Sequence, residues 1–159
     1  MKSTALLVLS IAVLTGCGGQ APPVPATVVE NASPAVGTDG KLAQSIGIET
    51  LGGVFTPLLS QGTAVPCSVS EIFSTAVDNQ NQITVKPYRG TAKLVADCDH
   101  LGQFQVVGIP PAPRGTPQIE ITFAVRDGTV LLSARDIASG TPMQIKKMES
   151  SQPTVGGDG

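Results

Sequence analysis

Aromatic side chains are scarce in this chain, which has no Trp, one Tyr and four Phe among its 159 residues. The hydrophobic fraction is nevertheless 41%, so we expect a packed core built from Val, Ile and Leu. Basic residues are few as well: ten Lys and Arg stand against twelve Asp and Glu, and the net charge is −2. They form no basic stripe of the kind that nucleic-acid binding needs. The sequence therefore excludes that class of function.

The length of the chain suits one domain. Long helices are not indicated, because 18 Gly and 13 Pro residues would interrupt them. In 118–126 (QIEITFAVR) apolar and polar residues alternate, which is typical of a strand with one buried face. Asp127-Gly128 then predicts a hairpin turn. We predict an all-β fold, a two-sheet antiparallel β-sandwich of about eight strands. The predicted strands are 46–51, 54–59, 68–75, 83–88, 101–107, 118–126, 129–135 and 143–148.

Two prolines, Pro57 and Pro87, fall inside predicted strands. Proline has no N–H to donate to a neighbouring strand, so it is confined to edge strands, strand starts and bulges. We therefore expect both positions to lie at a sheet edge or at a bulge.

The N-terminus has the features of an export signal. Lys2 supplies a positive charge, and 5–14 (ALLVLSIAVL) is an apolar run of ten residues, half of what a membrane-spanning helix needs. The run ends in Leu14-Thr15-Gly16-Cys17, which resembles the lipobox of bacterial lipoproteins, where the Cys is acylated and becomes the new N-terminus. The alternative is an ordinary secretory signal with a Cys near its end.

This resemblance implies a lipid-anchored protein of the bacterial cell envelope, held in the membrane by acyl chains such as palmitate on Cys17. Gly18 after the Cys favours the outer membrane, on its periplasmic or surface side. We divide the chain into a signal peptide (1–16), a flexible tether (17–41), a β-sandwich (42–148) and a disordered tail (149–159).

Five segments together resemble the substrate-binding β-domain of the 70-kDa heat-shock chaperones. They occur in the same order and spacing as in that family, and several separate signatures make the resemblance specific. The segments are 45–54 (SIGIETLGGV), 65–66 (VP), 73–80 (FSTAVDNQ), 101–104 (LGQF) and 111–120 (PAPRGTPQIE).

The resemblance implies binding of unfolded or extended hydrophobic peptides in a slot of the sandwich. Leu51 and Ala76 would form an arch over the peptide, and Ile83 would be the pocket floor, where the family commonly has Val. The implied peptide-binding residues are Ile48, Thr50, Leu51, Phe73, Ser74, Ala76, Gln80, Ile83 and Val85. From the pattern alone, Ile48, Phe73, Ile83 and Val85 are residues of an ordinary sandwich core.

The family's ATPase domain and helical lid have no counterpart in this sequence, so we expect no nucleotide, no cofactor and no enzymatic activity. We expect a holdase that binds and releases passively. The alternative is a structural or surface-interaction lipoprotein with an inert groove. Asp78 and Arg114 occupy places where loops and lid meet in the family, and without a lid we expect a surface ion pair of little energetic value.

Two further patterns involve cysteine. Cys67 and Cys98 are the thiols left once Cys17 is acylated, and an oxidising compartment makes a disulfide between them a hypothesis. The run 97–100 (DCDH) gathers four candidate metal ligands, including the single His. A run of this kind is more often a solvated loop, and we predict neither a metal site nor a catalytic Cys–His pair there.

Overall fold

The computed structural model describes residues 7–8, 27–30 and 36–148. Cys17, most of the signal peptide and the predicted tail lie outside the described residues. Among these described residues, a single turn of 3-10 helix, η1 (Val95–Asp97), accompanies twelve strands. The strands are β1 (Leu7–Val8), β2 (Thr27–Glu30), β3 (Ser45–Thr50), β4 (Val54–Leu59), β5 (Cys67–Ser74), β6 (Gln82–Val85), β7 (Pro87–Gly90), β8 (Asp99–His100), β9 (Gln103–Val107), β10 (Ile119–Arg126), β11 (Thr129–Asp136) and β12 (Gln144–Met148).

All strand pairing is antiparallel and divides the strands among three sheets. The orders are β1-β5-β10-β11-β2, β12-β9-β6 and β4-β3-β7-β8. The predicted all-β fold of antiparallel strands is confirmed. No helix among the described residues has the length and apolar character needed to span a membrane.

The five-stranded sheet is built around the β10–β11 hairpin. The predicted alternation is present in β10, where Ile119, Ile121 and Phe123 are completely buried. Asp127 and Gly128 both have positive φ, 48° and 76°, and Arg126 pairs with Thr129 across this two-residue turn. A primed turn of this kind matches the right-handed twist of the strands it joins. The hairpin prediction is confirmed.

The prediction of a sheet edge or a bulge is confirmed at Pro57 and wrong at Pro87, which starts an inner strand. Pro57 lies on β4, an edge strand, at a shift of register between β3 and β4. Pro87 begins β7 and separates it from β6, so that the predicted strand 83–88 is two strands in two different sheets. Since Pro87 cannot donate to the β6–β9 ladder, the chain leaves one sheet at Lys86 and enters the next.

The core corrects one expectation from composition. All four Phe residues are buried, three of them with no exposed surface, so that the few aromatic residues of the chain contribute to its interior. Branched aliphatic residues from all three sheets complete one contiguous cluster. Its largest fully buried members are Phe73, Phe104, Phe123, Leu42, Ile46, Ile48, Ile83, Ile119, Ile121, Leu132 and Val85.

The hypothesis of a disulfide is not supported, because no bond joins the sulfurs of Cys67 and Cys98. Cys67 is buried at the start of β5, opposite Val125 of β10. Cys98 follows η1 and lies against Gly90 of β7, whose strand belongs to the four-stranded sheet. The two residues thus belong to separate parts of the sandwich.

Candidate peptide-binding slot

The outer edge of β5 is where the sandwich can accept another strand. On its inner side, β5 pairs with β10 from Cys67 to Phe73. On its outer side, Phe73 and Ser74 pair with a segment from near the N-terminus, with Val8 opposite Phe73 and Leu7 opposite Ser74. An unpaired strand edge presents a row of N–H and C=O groups to any extended chain. This edge therefore holds an extended segment through its backbone.

Four apolar residues form what we call the floor beneath this edge. Ile48, Phe73, Ile83 and Val85 come from β3, β5 and β6 and are each at most 1% exposed. All four also belong to the main core cluster. The core interpretation that the pattern favoured is confirmed, and Ile83 lies under cover rather than at the bottom of an open cavity.

The residues that we call the rim, Leu51, Ala76 and Val77, differ sharply from the floor. Leu51 is 76% exposed and Val77 57% exposed, while Ala76 is half-buried. Leu51 is in the β3–β4 turn, which continues through Gly52 and Gly53 at φ of 85° and 72°. Side chains other than Gly rarely adopt these angles, so the turn is specified by sequence and presents Leu51 to solvent.

Val77 was missed by sequence reasoning. The signal that could have identified it is an apolar residue next to Ala76, directly before the polar loop 78–82 (DNQNQ). Two more exposed apolar residues, Val54 and Leu94, face each other in a β-bridge next to the Leu51 turn. They extend the apolar surface on that side of the rim.

The three polar residues assigned to the peptide path already have internal partners. The Thr50 hydroxyl lies 2.9 Å from the Thr56 hydroxyl, and the Ser74 hydroxyl donates to the Pro117 carbonyl at 2.6 Å. The Gln80 side chain accepts from the amides of Ala76 and Val77 and donates to the Gln82 carbonyl. We interpret these side chains as groups that hold the loops in place. The backbone of Phe73 and Ser74 is then what meets a bound segment.

The loop that carries Ala76 is anchored to the Pro-rich segment after β9. The Asn79 amide donates to the Ala112 carbonyl at 2.8 Å, and the Arg114 amide donates to the Asp78 carboxylate at 2.9 Å. Asp78 therefore meets the backbone of Arg114, and the ion pair between their side chains that we expected is not among the ion pairs of residues 36–148. Two loops far apart in the sequence are held as one unit beside the β5 edge.

Glu49 of β3 makes two polar contacts with residues at the start of β7. The Glu49 carboxylate accepts from the Lys86 ammonium at 3.3 Å and from the Tyr88 hydroxyl at 3.4 Å. Burial, and then the negative charge of Glu49, raises the pKa of Tyr88, so Tyr88 stays a neutral donor. The pairing holds the start of β7 to β3.

The run 97–100 is engaged in contacts of its own. Asp99 pairs with Arg89 at 3.1 Å, and the His100 ring lies 4.9 Å from the Tyr88 ring, centroid to centroid. Among residues 36–148, no group of three or more His, Cys, Asp or Glu side chains is arranged to hold a metal ion.

Comparison with known proteins places this architecture in a family. The sequence profile of the family described as Hsp70 protein matches residues 40–155. The chain is also 52% identical over 102 residues to "Heat shock 70 kDa protein, mitochondrial" from Pisum sativum. That match covers 64% of this chain and 15% of the pea protein. Since the profile spans well over half of its residues, the chain belongs to the Hsp70 family.

Proposed function

We propose that this domain binds extended hydrophobic segments of unfolded proteins at the outer edge of β5 and acts as a holdase. Membership of the Hsp70 family supports chaperone-like peptide binding. The observation that carries the proposal is the antiparallel pairing of Phe73 and Ser74 with an extended segment. Adding a strand to a free sheet edge is a general mode of peptide recognition, in which the backbone supplies affinity and neighbouring pockets supply specificity.

The rim supplies the apolar surface that a bound side chain would contact. Burying one Leu contributes about 1.5–3 kcal/mol, and each net hydrogen bond adds about 1 kcal/mol. Ordering the peptide and removing its free motion costs several kcal/mol. The affinity should therefore be micromolar at best.

Binding in this proposal is passive. A conformational equilibrium shifts when a ligand has different affinities for its two states, and we propose that this domain works without an ATPase domain, a helical lid or any bound nucleotide. Addition of ATP should leave the dissociation constant for peptide unchanged, and a shift of tenfold or more would contradict passive binding.

We further propose that acylated Cys17 holds the domain at the bacterial envelope, in the outer membrane. The support is the run Leu14-Thr15-Gly16-Cys17 after a ten-residue apolar stretch. Labelled palmitate should enter the full chain in bacterial cells and should not enter Cys17→Ser. Equal labelling of both proteins would contradict the proposed acylation of Cys17.

The peptide proposal is tested with the chain from residue 17 onward, carrying Cys17→Ser, and a fluorescent Leu-rich heptapeptide. Fluorescence anisotropy should give a micromolar dissociation constant. Leu51→Ser should weaken binding about fivefold or more, because a rim side chain that buries apolar surface is lost. Met148→Ser is the matched control, since Met148 is an exposed apolar residue at the end of β12 and should not affect binding.

A second function is favoured by one observation, the burial of Ile83 and the rest of the floor. If the floor stays closed to foreign side chains, the domain is a structural or surface-interaction lipoprotein with an inert groove. Absence of binding in the anisotropy titration, or equal affinity in wild type and Leu51→Ser, would favour this alternative over the holdase.

A further inference from the structure

The strand on the β5 edge comes from this chain's own apolar N-terminal run. β1 (Leu7–Val8) lies within 5–14 (ALLVLSIAVL), the longest apolar run of the sequence. It pairs with Phe73 and Ser74, the two residues at which the proposed function places a client. A run of aliphatic residues is also the chemistry that the apolar rim would select. The segment and the site therefore match in both position and composition.

The stretch of chain between β1 and β2 is long enough to reach from one outer edge of the sheet to the other. Nineteen peptide links separate Val8 from Thr27, and β2 is held at the far side of the same sheet, next to β11. β1 and β2 are the two outer strands of this sheet, four strand spacings apart, a distance of about 19 Å at the usual spacing of strands. A chain of this length can extend to about 60 Å, so one molecule can place both segments without strain.

We propose that the N-terminal apolar segment is an intramolecular ligand of the slot, so that a chain retaining residues 1–16 blocks its own peptide-binding edge. The argument for the strength of this block rests on the proposed function. A flexible tether gives the attached segment an effective concentration of about millimolar. Against an affinity that is micromolar at best, the tethered segment occupies the edge in nearly every molecule.

Removal of residues 1–16 would then determine when the protein begins to bind peptides. The lipobox predicts loss of residues 1–16, and that loss would vacate the Phe73–Ser74 edge. Binding activity would then begin when the segment is removed. With a dissociation constant of about 10 μM, a free peptide would bind the full chain about 100-fold more weakly than the shortened one, which is the ratio of effective concentration to dissociation constant.

The experiment uses the full chain and a double variant, Leu7→Pro with Val8→Pro. Proline has no N–H and cannot continue the ladder, so β1 should leave the edge. The matched control is Ala12→Pro with Val13→Pro, in the same apolar run but at least four positions away from the β1 residues Leu7 and Val8. Successive N–H groups of a strand point to opposite edges, so one of the amides of Phe73 and Ser74 faces β1 and the other faces the β10 side. Hydrogen exchange at the amide that faces β1 reports occupancy of the edge, and anisotropy with the Leu-rich heptapeptide reports binding.

Exchange at the amide that faces β1 should be faster in the Leu7→Pro, Val8→Pro chain than in wild type and control, and the heptapeptide should bind that variant about 100-fold more tightly. Faster exchange without peptide binding by any form would support self-occupancy and defeat the proposed function. Equal exchange in wild type and double variant would overturn self-occupancy, whatever the peptide does. Protection that rises with protein concentration would assign the segment to a second copy and would also overturn it.

Discussion

The floor and the rim of the slot are neighbours in sequence and opposites in environment. Ile48 and Leu51 are three residues apart, yet one is 1% exposed and the other 76% exposed. The same contrast separates Phe73, at 0%, from Val77, at 57%. Each pair belongs to one strand and the turn that follows it, so the strand contributes to the core and the turn presents apolar surface to solvent, where the proposed function places the ligand. Mutations in the two groups should therefore have separable effects.

The largest expected effect is on the free energy of unfolding, when a floor residue is truncated. Ile83→Ala should lower the free energy of unfolding by about 2–5 kcal/mol, because it removes buried methyl groups and leaves a cavity. Ile83→Val should cost about 0.5–1.5 kcal/mol, and Leu51→Ala at the rim less than about 0.5 kcal/mol. Urea unfolding measures all three. A cost for Ile83→Ala no greater than that for Leu51→Ala would erase the distinction between floor and rim.

Gln80 tests whether the rim depends on its own internal hydrogen bonds. Gln80→Ala removes the acceptor of the Ala76 and Val77 amides and the donor to the Gln82 carbonyl. We expect a loss of about 1–2 kcal/mol and faster hydrogen exchange at Ala76 and Val77. Gln61→Ala is the control, because the hydrogen bond at Gln61 is made by its backbone amide. Unchanged exchange in Gln80→Ala would show that other contacts hold the loop.

The smallest effect comes from a charge in the buried row of β5. Glu71 is 9% exposed and shares its face with Val69 and Phe73. Burial raises the pKa of the Glu71 carboxyl above 4.5, so the folded chain binds this proton more tightly than the unfolded chain. The free energy of unfolding must then fall as pH rises through the interval above 4.5. At neutral pH the ionised carboxylate destabilises the fold.

Glu71→Gln should therefore raise the melting temperature at pH 7, and the gain should shrink as pH is lowered towards 4. Glu120→Gln is the control, because Glu120 lies on neighbouring β10 and pairs with Arg135. Its replacement should give no gain at pH 7. Thermal unfolding at several pH values measures both variants, and a destabilised Glu71→Gln at pH 7 would reverse the assignment of the raised pKa.

Most of the fold could be predicted from local patterns. Alternation and turn residues predicted the β10–β11 hairpin, and Gly52-Gly53 marked the turn between β3 and β4. The division of 83–88 between two sheets could not be predicted, because it depends on which partner each half finds across the sandwich. β8 and η1 were missed for a related reason: both are very short and contain no buried residue that would produce a pattern.

The candidate site was less accessible to sequence reasoning. The resemblance located Ile83 and Leu51, and the pattern alone favoured the core for Ile83, but how far each rim side chain is exposed depends on the whole fold. The Ser74 hydroxyl has its partner 43 positions away, at Pro117, and a pairing of that range depends on the whole fold. The partners of Thr50 and Gln80 are local, two to six positions away. The position of β1 on the β5 edge is also a long-range contact that an isolated apolar run does not reveal.

In the part of the chain that the structure describes, the ladder on the β5 edge joins Phe73 and Ser74 to two residues, Leu7 and Val8, and a contact of this length has a consequence for selectivity. Backbone amides are the same in every protein, so a contact of this length distinguishes clients by one or two side chains and by little else. Under the proposed function the domain would therefore be promiscuous, and its clients would include almost any polypeptide with a short unstructured aliphatic stretch. Broad coverage of this sort requires weak individual encounters, which suits a protein that shields many different chains for a short time.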